Sequence, residues 1–204
     1  MNSGTVEALM RRLPGTLALL GLTLGASPAA AQWGVSAEFG VARFGGTSRD
    51  SSGATVGPYR PTTFGLHLDR GSGRVRVGVG VLYAKTGLAA EGRGVAVVQN
   101  DIGSLWEIAP ELSLRVARFG TGIEARVDAG PTIDFWNFDG ERRNRVGGRA
   151  AAVAEWPLAH ALTGSLRVSG MLSGSVFDAG DTPSGVERRA TRRVGVAVGL
   201  RYRL

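Results

Sequence analysis

The chain has no cysteine, only two histidines and a single lysine, Lys85, among its 204 residues. Without cysteine there is no disulfide framework, so an exported form of this chain must be stabilised by other means. Long apolar runs are also missing: no run after Ala31 approaches the roughly 20 residues that a transmembrane helix requires. If the chain lies in a membrane, it must therefore cross it with strands.

The first residues resemble an export signal rather than part of a fold. Arg11 and Arg12 precede an apolar run at residues 17–24, which is too short to span a bilayer, and small residues follow at 29–31. This order is typical of a secretory signal peptide. We predict that residues 1–31 are removed and that residues 32–204 form one mature domain.

What remains is dominated by alternation of apolar and polar residues, which occurs in eight separate runs. In the third run, Val75, Val77 and Val79 are interleaved with Arg76 and Gly78. Period two places one set of side chains on each face of a strand. Eight such runs, each long enough to cross a bilayer when tilted, predict an all-β fold: an eight-stranded antiparallel up-and-down transmembrane β-barrel.

The connections between the runs alternate in length. Three are short, near residues 70–73, 118–120 and 157–160. Four are expected to be long, over residues 43–61, 85–100, 137–146 and 178–189. Short turns on one side and long loops on the other are typical of a membrane barrel with periplasmic turns and extracellular loops.

Aromatic residues gather at both ends of the predicted strands. Those expected near the short turns are Trp33, Phe119, Trp156 and Tyr202. Those expected near the long loops are Tyr83, Phe135, Trp136 and Phe177. Two such bands are expected at the two interfaces of a bilayer, although aromatics also favour strands in general.

Ionised side chains collect on the polar face of the alternation, which should line the lumen. The predicted lumen set comprises an equal number of acids and arginines together with one histidine: Glu38, His67, Asp69, Arg76, Glu107, Glu111, Arg115, Glu124, Arg126, Asp128, Arg149, Glu155, Arg167, Arg193 and Arg201. The other face is almost free of charge, as expected where an arginine in lipid costs roughly 2–4 kcal/mol. Acids and arginines in a narrow barrel should pair and fill it, which predicts a plug. A narrow ion-selective path is the rival interpretation.

Some sequence motifs suggest a family. Residues 105–112 (Leu-Trp-Glu-Ile-Ala-Pro-Glu-Leu) and 129–133 (Ala-Gly-Pro-Thr-Ile) resemble the outer-membrane β-barrel domain family, often labelled porin-like, and the strand and loop plan resembles the small OmpA/OmpX-type barrels. The last residues, Gly199 to Leu204, resemble the terminal signal of outer-membrane proteins, although Leu204 stands where Phe or Trp is usual. The resemblance implies a location in the outer membrane of Gram-negative bacteria and delivery to the barrel-assembly machinery, with Gly199, Tyr202 and Leu204 as the signal.

The formal net charge of +7 raises the question of acidic partners. Export argues against nucleic acid, so outer-membrane lipid is the expected neighbour. Arginines near two of the predicted loops could bind lipopolysaccharide phosphates, or could simply keep the loops soluble: Arg142, Arg143, Arg145, Arg188, Arg189, Arg192 and Arg193.

Catalytic and metal-binding patterns are weak in this sequence. No Gly-x-Ser-x-Gly elbow occurs, and His67 is the one candidate base for a lipid-modifying enzyme. We expect no enzyme activity, no cofactor and no metal, and a monomer with a structural or surface-interaction role. A small diffusion pore and a soluble lipocalin-like barrel, which would place its apolar residues inside, are the remaining alternatives.

Overall fold

A computed structural model describes residues 32–45, 48–49, 55–59, 61–71, 73–92, 95–120, 122–138, 140–176 and 187–204. The predicted signal peptide and Phe177 lie outside these ranges. Among the described residues, no helix is long and apolar enough to cross a membrane.

Within the described ranges the chain forms eleven strands in one sheet. In chain order they are β1 (Trp33–Gly45), β2 (Ser48–Arg49), β3 (Thr55–Tyr59), β4 (Thr62–Arg70), β5 (Val75–Gly92), β6 (Val95–Phe119), β7 (Ile123–Phe138), β8 (Glu141–Pro157), β9 (Leu162–Ser173), β10 (Glu187–Arg188) and β11 (Thr191–Arg203). Eight of these are barrel strands, and β2, β3 and β10 extend one end of the barrel.

The barrel strands pair antiparallel in chain order, and the last returns to the first. β1 pairs with β4 on one side and with β11 on the other, from Gly34↔Arg203 to Gly45↔Arg192. Closure leaves no barrel edge open, which removes the usual liability of unpaired strand groups. The predicted eight-stranded up-and-down barrel is confirmed.

The two faces of the sheet differ sharply in chemistry. Val77 and Leu114 are each 37% exposed and Val196 is 45% exposed, whereas Arg126 is 1% and Arg193 is 3% exposed. The apolar set therefore faces outward and the ionised set inward, which is the inverse of a soluble protein. This orientation excludes the lipocalin-like alternative.

Two of the expected long loops are wrong. Residues 85–100 are mostly strand, because β5 and β6 stay paired out to Gly92↔Val95. Residues 137–146 likewise belong to β7 and β8, which pair out to Phe138↔Glu141. Beyond the lipid, both faces of a hairpin meet water, and neither face has to be apolar. Backbone pairing can therefore continue where the alternation of apolar and polar residues has ended.

An apolar cluster fills the interior near the ends of the strands that are opposite the short turns. It consists of Ala42, Phe44, Ala84, Leu105, Trp136 and Val176. Trp136, expected in the outer aromatic band, is only 1% exposed and packs edge-on against Phe44 at 5.4 Å between ring centroids. That expectation was wrong because Phe135 and Trp136 are consecutive, and period two sends them to opposite faces.

The β6–β7 ladder has a gap in mid-strand. Pairing is observed at Ile108↔Ile133 and again at Leu112↔Ala129, with no paired positions between. Counting from either side places Pro110 opposite Pro131, and neither proline has an N–H to donate. The backbones approach closely here, because a Cβ added to Gly130 would lie 1.9 Å from the Pro110 carbonyl oxygen.

This close approach makes Gly130 far less tolerant of substitution than other barrel glycines. Gly130→Ala should lower the free energy of unfolding by at least about 2 kcal/mol, because the backbone must shift to admit the methyl group. Gly170→Ala is the matched control, since a Cβ there would meet nothing within 4 Å. Urea unfolding in detergent, followed by the gel shift between folded and heated forms, measures both. Equal stability of the two variants would contradict the packing described.

Candidate functional site

The candidate site is the charged lumen. All fifteen residues predicted to line it lie on the buried face, and each has an ion-pairing partner within the set. The side chains come from every barrel strand, so the pairs tie together strands that are distant in sequence. Charge pairing of this kind is what allows ionised groups to stay in an enclosed space.

One continuous network begins on β7 and crosses the middle of the lumen. Asp128 accepts a hydrogen bond from Arg167 at 2.8 Å, and Arg167 also donates to Glu38 at 2.9 Å. Glu38 lies 3.2 Å from Nε2 of His67, whose Nδ1 lies 3.2 Å from Glu111. These contacts connect β7, β9, β1, β4 and β6.

The same network continues towards the apolar cluster. Glu111 contacts Arg149, which donates to Glu107 at 2.8 Å. Glu107 is fully buried and accepts a second bond, at 2.6 Å, from Arg193. The Arg193 guanidinium then lies 6.0 Å from the centre of the Phe44 ring, where the charged network meets the apolar layer.

His67 occupies the middle of this network between two acids. Both of its ring nitrogens face carboxylate oxygens, of Glu38 and of Glu111. An ionised carboxylate only accepts hydrogen bonds, so a ring that serves both acids must donate from both nitrogens. The ring thus bridges two acids across the lumen.

A smaller cluster lies nearer the short turns, in which Arg76 Nη2 lies 3.9 Å from a carboxylate oxygen of Glu124. Arg76 donates to both oxygens of Glu155, at 2.8 and 3.0 Å. Glu124 accepts from Arg115 at 2.7 Å and from Arg126 at 3.3 Å.

A separate pair joins Arg201 of β11 to Asp69 of β4. Arg201 Nε and Nη2 donate to the two carboxylate oxygens of Asp69 at 2.9 and 2.6 Å. This two-point geometry is the strongest form of arginine–carboxylate pairing.

The lumen holds one acid that the sequence reasoning missed. Asp134 is fully buried and stands opposite Glu107 across the β6–β7 ladder. It continues the polar phase of its strand after Asp128 and Thr132, so strict extension of the period-two pattern would have found it.

Three of the seven arginines expected near the loops turn inward instead. Arg143 donates to the Val176 carbonyl at 3.1 Å and contacts Glu141, and Arg145 contacts the Ser175 carbonyl. Arg193 belongs to the lumen network. Arg142, Arg189 and Arg192 are the members of the set whose side chains the structure describes as exposed.

Little empty space remains between the paired groups. Two lumen cavities have a volume of about 30 Å³ each. A buried site needs roughly 10–15 Å³ for each water, so each cavity has room for two or three waters at most.

The fold matches that of solved membrane barrels. Neisserial surface protein A (NspA) superposes with a TM-score of 0.59 at 12% identity, covering 85% of this chain and 99% of that one. OprG from Pseudomonas aeruginosa superposes with a TM-score of 0.52 at 12% identity, covering 86% of this chain and 96% of that one. This chain has the fold of the small outer-membrane β-barrels. Its apolar exterior agrees with that fold.

Sequence comparisons add nothing to this result. No protein-family model matches this chain, and no curated protein sequence matches it significantly. The motifs at 105–112 and 129–133 therefore remain a resemblance. Their two prolines are the pair that interrupts the β6–β7 ladder.

The residues of the predicted assembly signal sit at the end of the barrel where the chain closes. Gly199 lies opposite Glu38 of β1, and a Cβ there would come within 2.7 Å of the Glu38 side chain. Tyr202 and Leu204 are 52% and 70% exposed on the outer surface. An apolar outer face on the last strand is therefore open to a partner.

Replacement of His67 tests whether the ring holds the two acids together in the lumen. His67→Leu removes the ring that both carboxylates contact and leaves each of them only its arginine partner, which should cost about 3 kcal/mol of unfolding free energy. His160→Leu, at the exposed second histidine in a short turn, should change stability by less than about 0.5 kcal/mol. Urea unfolding of both variants in the same detergent compares them. A stable His67→Leu barrel would show that the ring is not needed to hold the two acids.

Proposed function

We propose that this protein is a non-conducting outer-membrane barrel, closed by its own side chains, whose role is structural or lies in contacts at the cell surface. The observation that carries the proposal is the unbroken network from Asp128 to Arg193, which crosses the lumen from wall to wall. Paired side chains occupy the space that water and ions would need in a pore.

The distribution of the remaining space supports a seal. Glu38, His67 and Arg167 line both lumen cavities, so these three side chains stand between them. Passage of an ion would require breaking their contacts in an enclosed site, where an unpaired charge is costly.

A second barrier supports the same proposal. The apolar cluster around Phe44, Leu105 and Trp136 lies beyond Arg193, and Leu105 and Trp136 are at most 1% exposed. An ion would lose its hydration at this layer without gaining a polar partner.

The lipid-modifying alternative gains no support from His67. A histidine that acts as a general base needs one nitrogen free to take a proton from a nucleophile. Both nitrogens of His67 face carboxylates, and the neighbouring cavities are too small for a lipid. We therefore propose no catalytic role.

The strand extensions at the end opposite the short turns are the proposed contact surface. β5 and β6 remain paired over residues 88–99, which gives this side a continuous hairpin. NspA is, by its name, a surface protein, and surface contacts suit a barrel with this end outward. We propose a monomer, inserted by the barrel-assembly machinery through Tyr202 and Leu204.

Conductance measurements test the sealed lumen. The purified protein in a planar bilayer should show no discrete current steps at voltages where the bilayer itself is stable. Reproducible unit steps from the unaltered protein would refute the seal.

Removal of the central pair supplies the positive control. The Glu38→Ser, Arg167→Ser double variant removes one acid and one arginine, so net charge is kept while the two cavities are joined. We expect small, noisy currents from this variant, since the side chains that separate the cavities are gone. Arg74→Ser, at an exposed arginine in the turn before β5, should stay silent.

A further inference from the structure

The outer wall of β5–β8 carries three ordered rows of side chains at the end opposite the short turns. The strand register puts Val81, Ile108, Ile133 and Val146 in one row. The next row outward contains Tyr83, Trp106, Phe135 and Asn144. The outermost row contains Lys85, Ser104, Asn137 and Arg142. Composition thus changes from aliphatic to aromatic to polar and cationic over four residues of strand.

This order marks the level at which hydrocarbon gives way to headgroups. Trp106 and Phe135 are 51% and 37% exposed, and Val146 below them is 73% exposed. Aromatic rings prefer that boundary, while aliphatic side chains lie below it in lipid. On each strand, the polar row therefore lies on the headgroup side of the aromatic row.

The polar and aromatic rows form a hollow rather than a flat wall. A cavity of about 310 Å³ is lined by Ser104, Trp106, Phe135, Trp136, Asn137, Arg142 and Asn144. Tyr83 adds a second ring beside Trp106, with 4.8 Å between their centroids. The surface offers aromatic faces, two amides and a guanidinium within one depression.

Two positive charges belong to this surface: Arg142 lines the hollow, and Lys85 stands beside Ser104, which also lines it. Lys85 and Arg142 are exposed and make no ion pair with any of the described residues. Glu141, the neighbouring acid, contacts Arg143 instead. Unpaired cations at headgroup level attract phosphate groups.

The spacing of the two cations favours a headgroup with two phosphates. Lys85 and Arg142 stand in one row on β5 and β8, three inter-strand steps or about 14 Å apart. A single phosphate cannot bridge that distance, but a disaccharide with a phosphate at each end can. Trp106 and Phe135 would lie under the sugar rings, and Asn137 and Asn144 would bond their hydroxyl and amide groups.

We propose that this hollow binds the headgroup of a bisphosphorylated glycolipid of the outer leaflet, that is, the lipid A part of lipopolysaccharide. Lys85 and Arg142 hold the two phosphates, and the aromatic and amide side chains between them recognise the sugars. Of the seven arginines expected near the loops, Arg142 lines this hollow. It lies on the outer wall and does not depend on whether the lumen conducts.

Paired charge removals at the two ends of the barrel test the site. The double variant Lys85→Ser, Arg142→Ser should bind purified lipid A about 25-fold more weakly than the unaltered protein in detergent. Each lost charge should contribute a factor of roughly five. Arg74→Ser with Arg118→Ser removes the same charge at the opposite end and should change binding less than about twofold. Native mass spectrometry measures both, and the gel shift on heating shows that each variant is folded. Unchanged binding in the first variant, or equal loss in both, would overturn the proposal.

The identity of the ligand needs a second variant and other lipids. The double variant Asn137→Leu, Asn144→Leu keeps every charge but removes the two amides that would bond the sugars. It should therefore weaken lipid A binding about tenfold and leave phosphatidylglycerol binding unchanged. Lipid A without phosphates, phosphatidylglycerol and inorganic phosphate should each bind the unaltered protein at least about tenfold more weakly than lipid A. Equal binding of phosphatidylglycerol would mean a general attraction for anionic lipid and would end the glycolipid assignment.

Discussion

The pairing of arginine with carboxylate inside a closed barrel is the interaction on which this structure depends. An exterior that must be apolar leaves the interior as the only place for ionised groups along the strands. Arg167 shows the consequence, since it holds Glu38 of β1 and Asp128 of β7 at once. Each such pair both satisfies a buried charge and ties distant strands together. A barrel of this width is thus filled by the groups that stabilise it.

The sequence predicted the faces of the strands well because period two is a strict geometric rule. It assigned Arg126 and Arg193 inward and Val77 and Val196 outward, as the structure has them. Trp136 was wrongly expected in the outer aromatic band, because its residue type favoured the band while its position in the period-two pattern placed it inside. The hairpin at residues 85–100 was missed because pairing outside the lipid needs no alternation.

Which lumen groups would meet could not be derived from the sequence. Arg167 and Glu38 are separated by 129 residues, and their contact depends on the stagger of the strands around the barrel. The same holds for the rows on the outer wall, where Lys85 and Arg142 belong to one surface only because four strands are in register. Inside the barrel, ionised groups are enclosed and paired by the protein, whereas Lys85 and Arg142 are exposed on the outer wall.

The central claim is tested most directly by measuring which side chains of one strand face the lipid in a bilayer. Because the chain has no cysteine, a spin label can be placed singly at Ser165, Leu166, Val168 or Ser169 of β9. The account predicts strong relaxation by lipid-dissolved oxygen at 166 and 168 and weak relaxation at 165 and 169. The opposite alternation, or equal values at all four positions, would contradict an apolar exterior around an enclosed charged core.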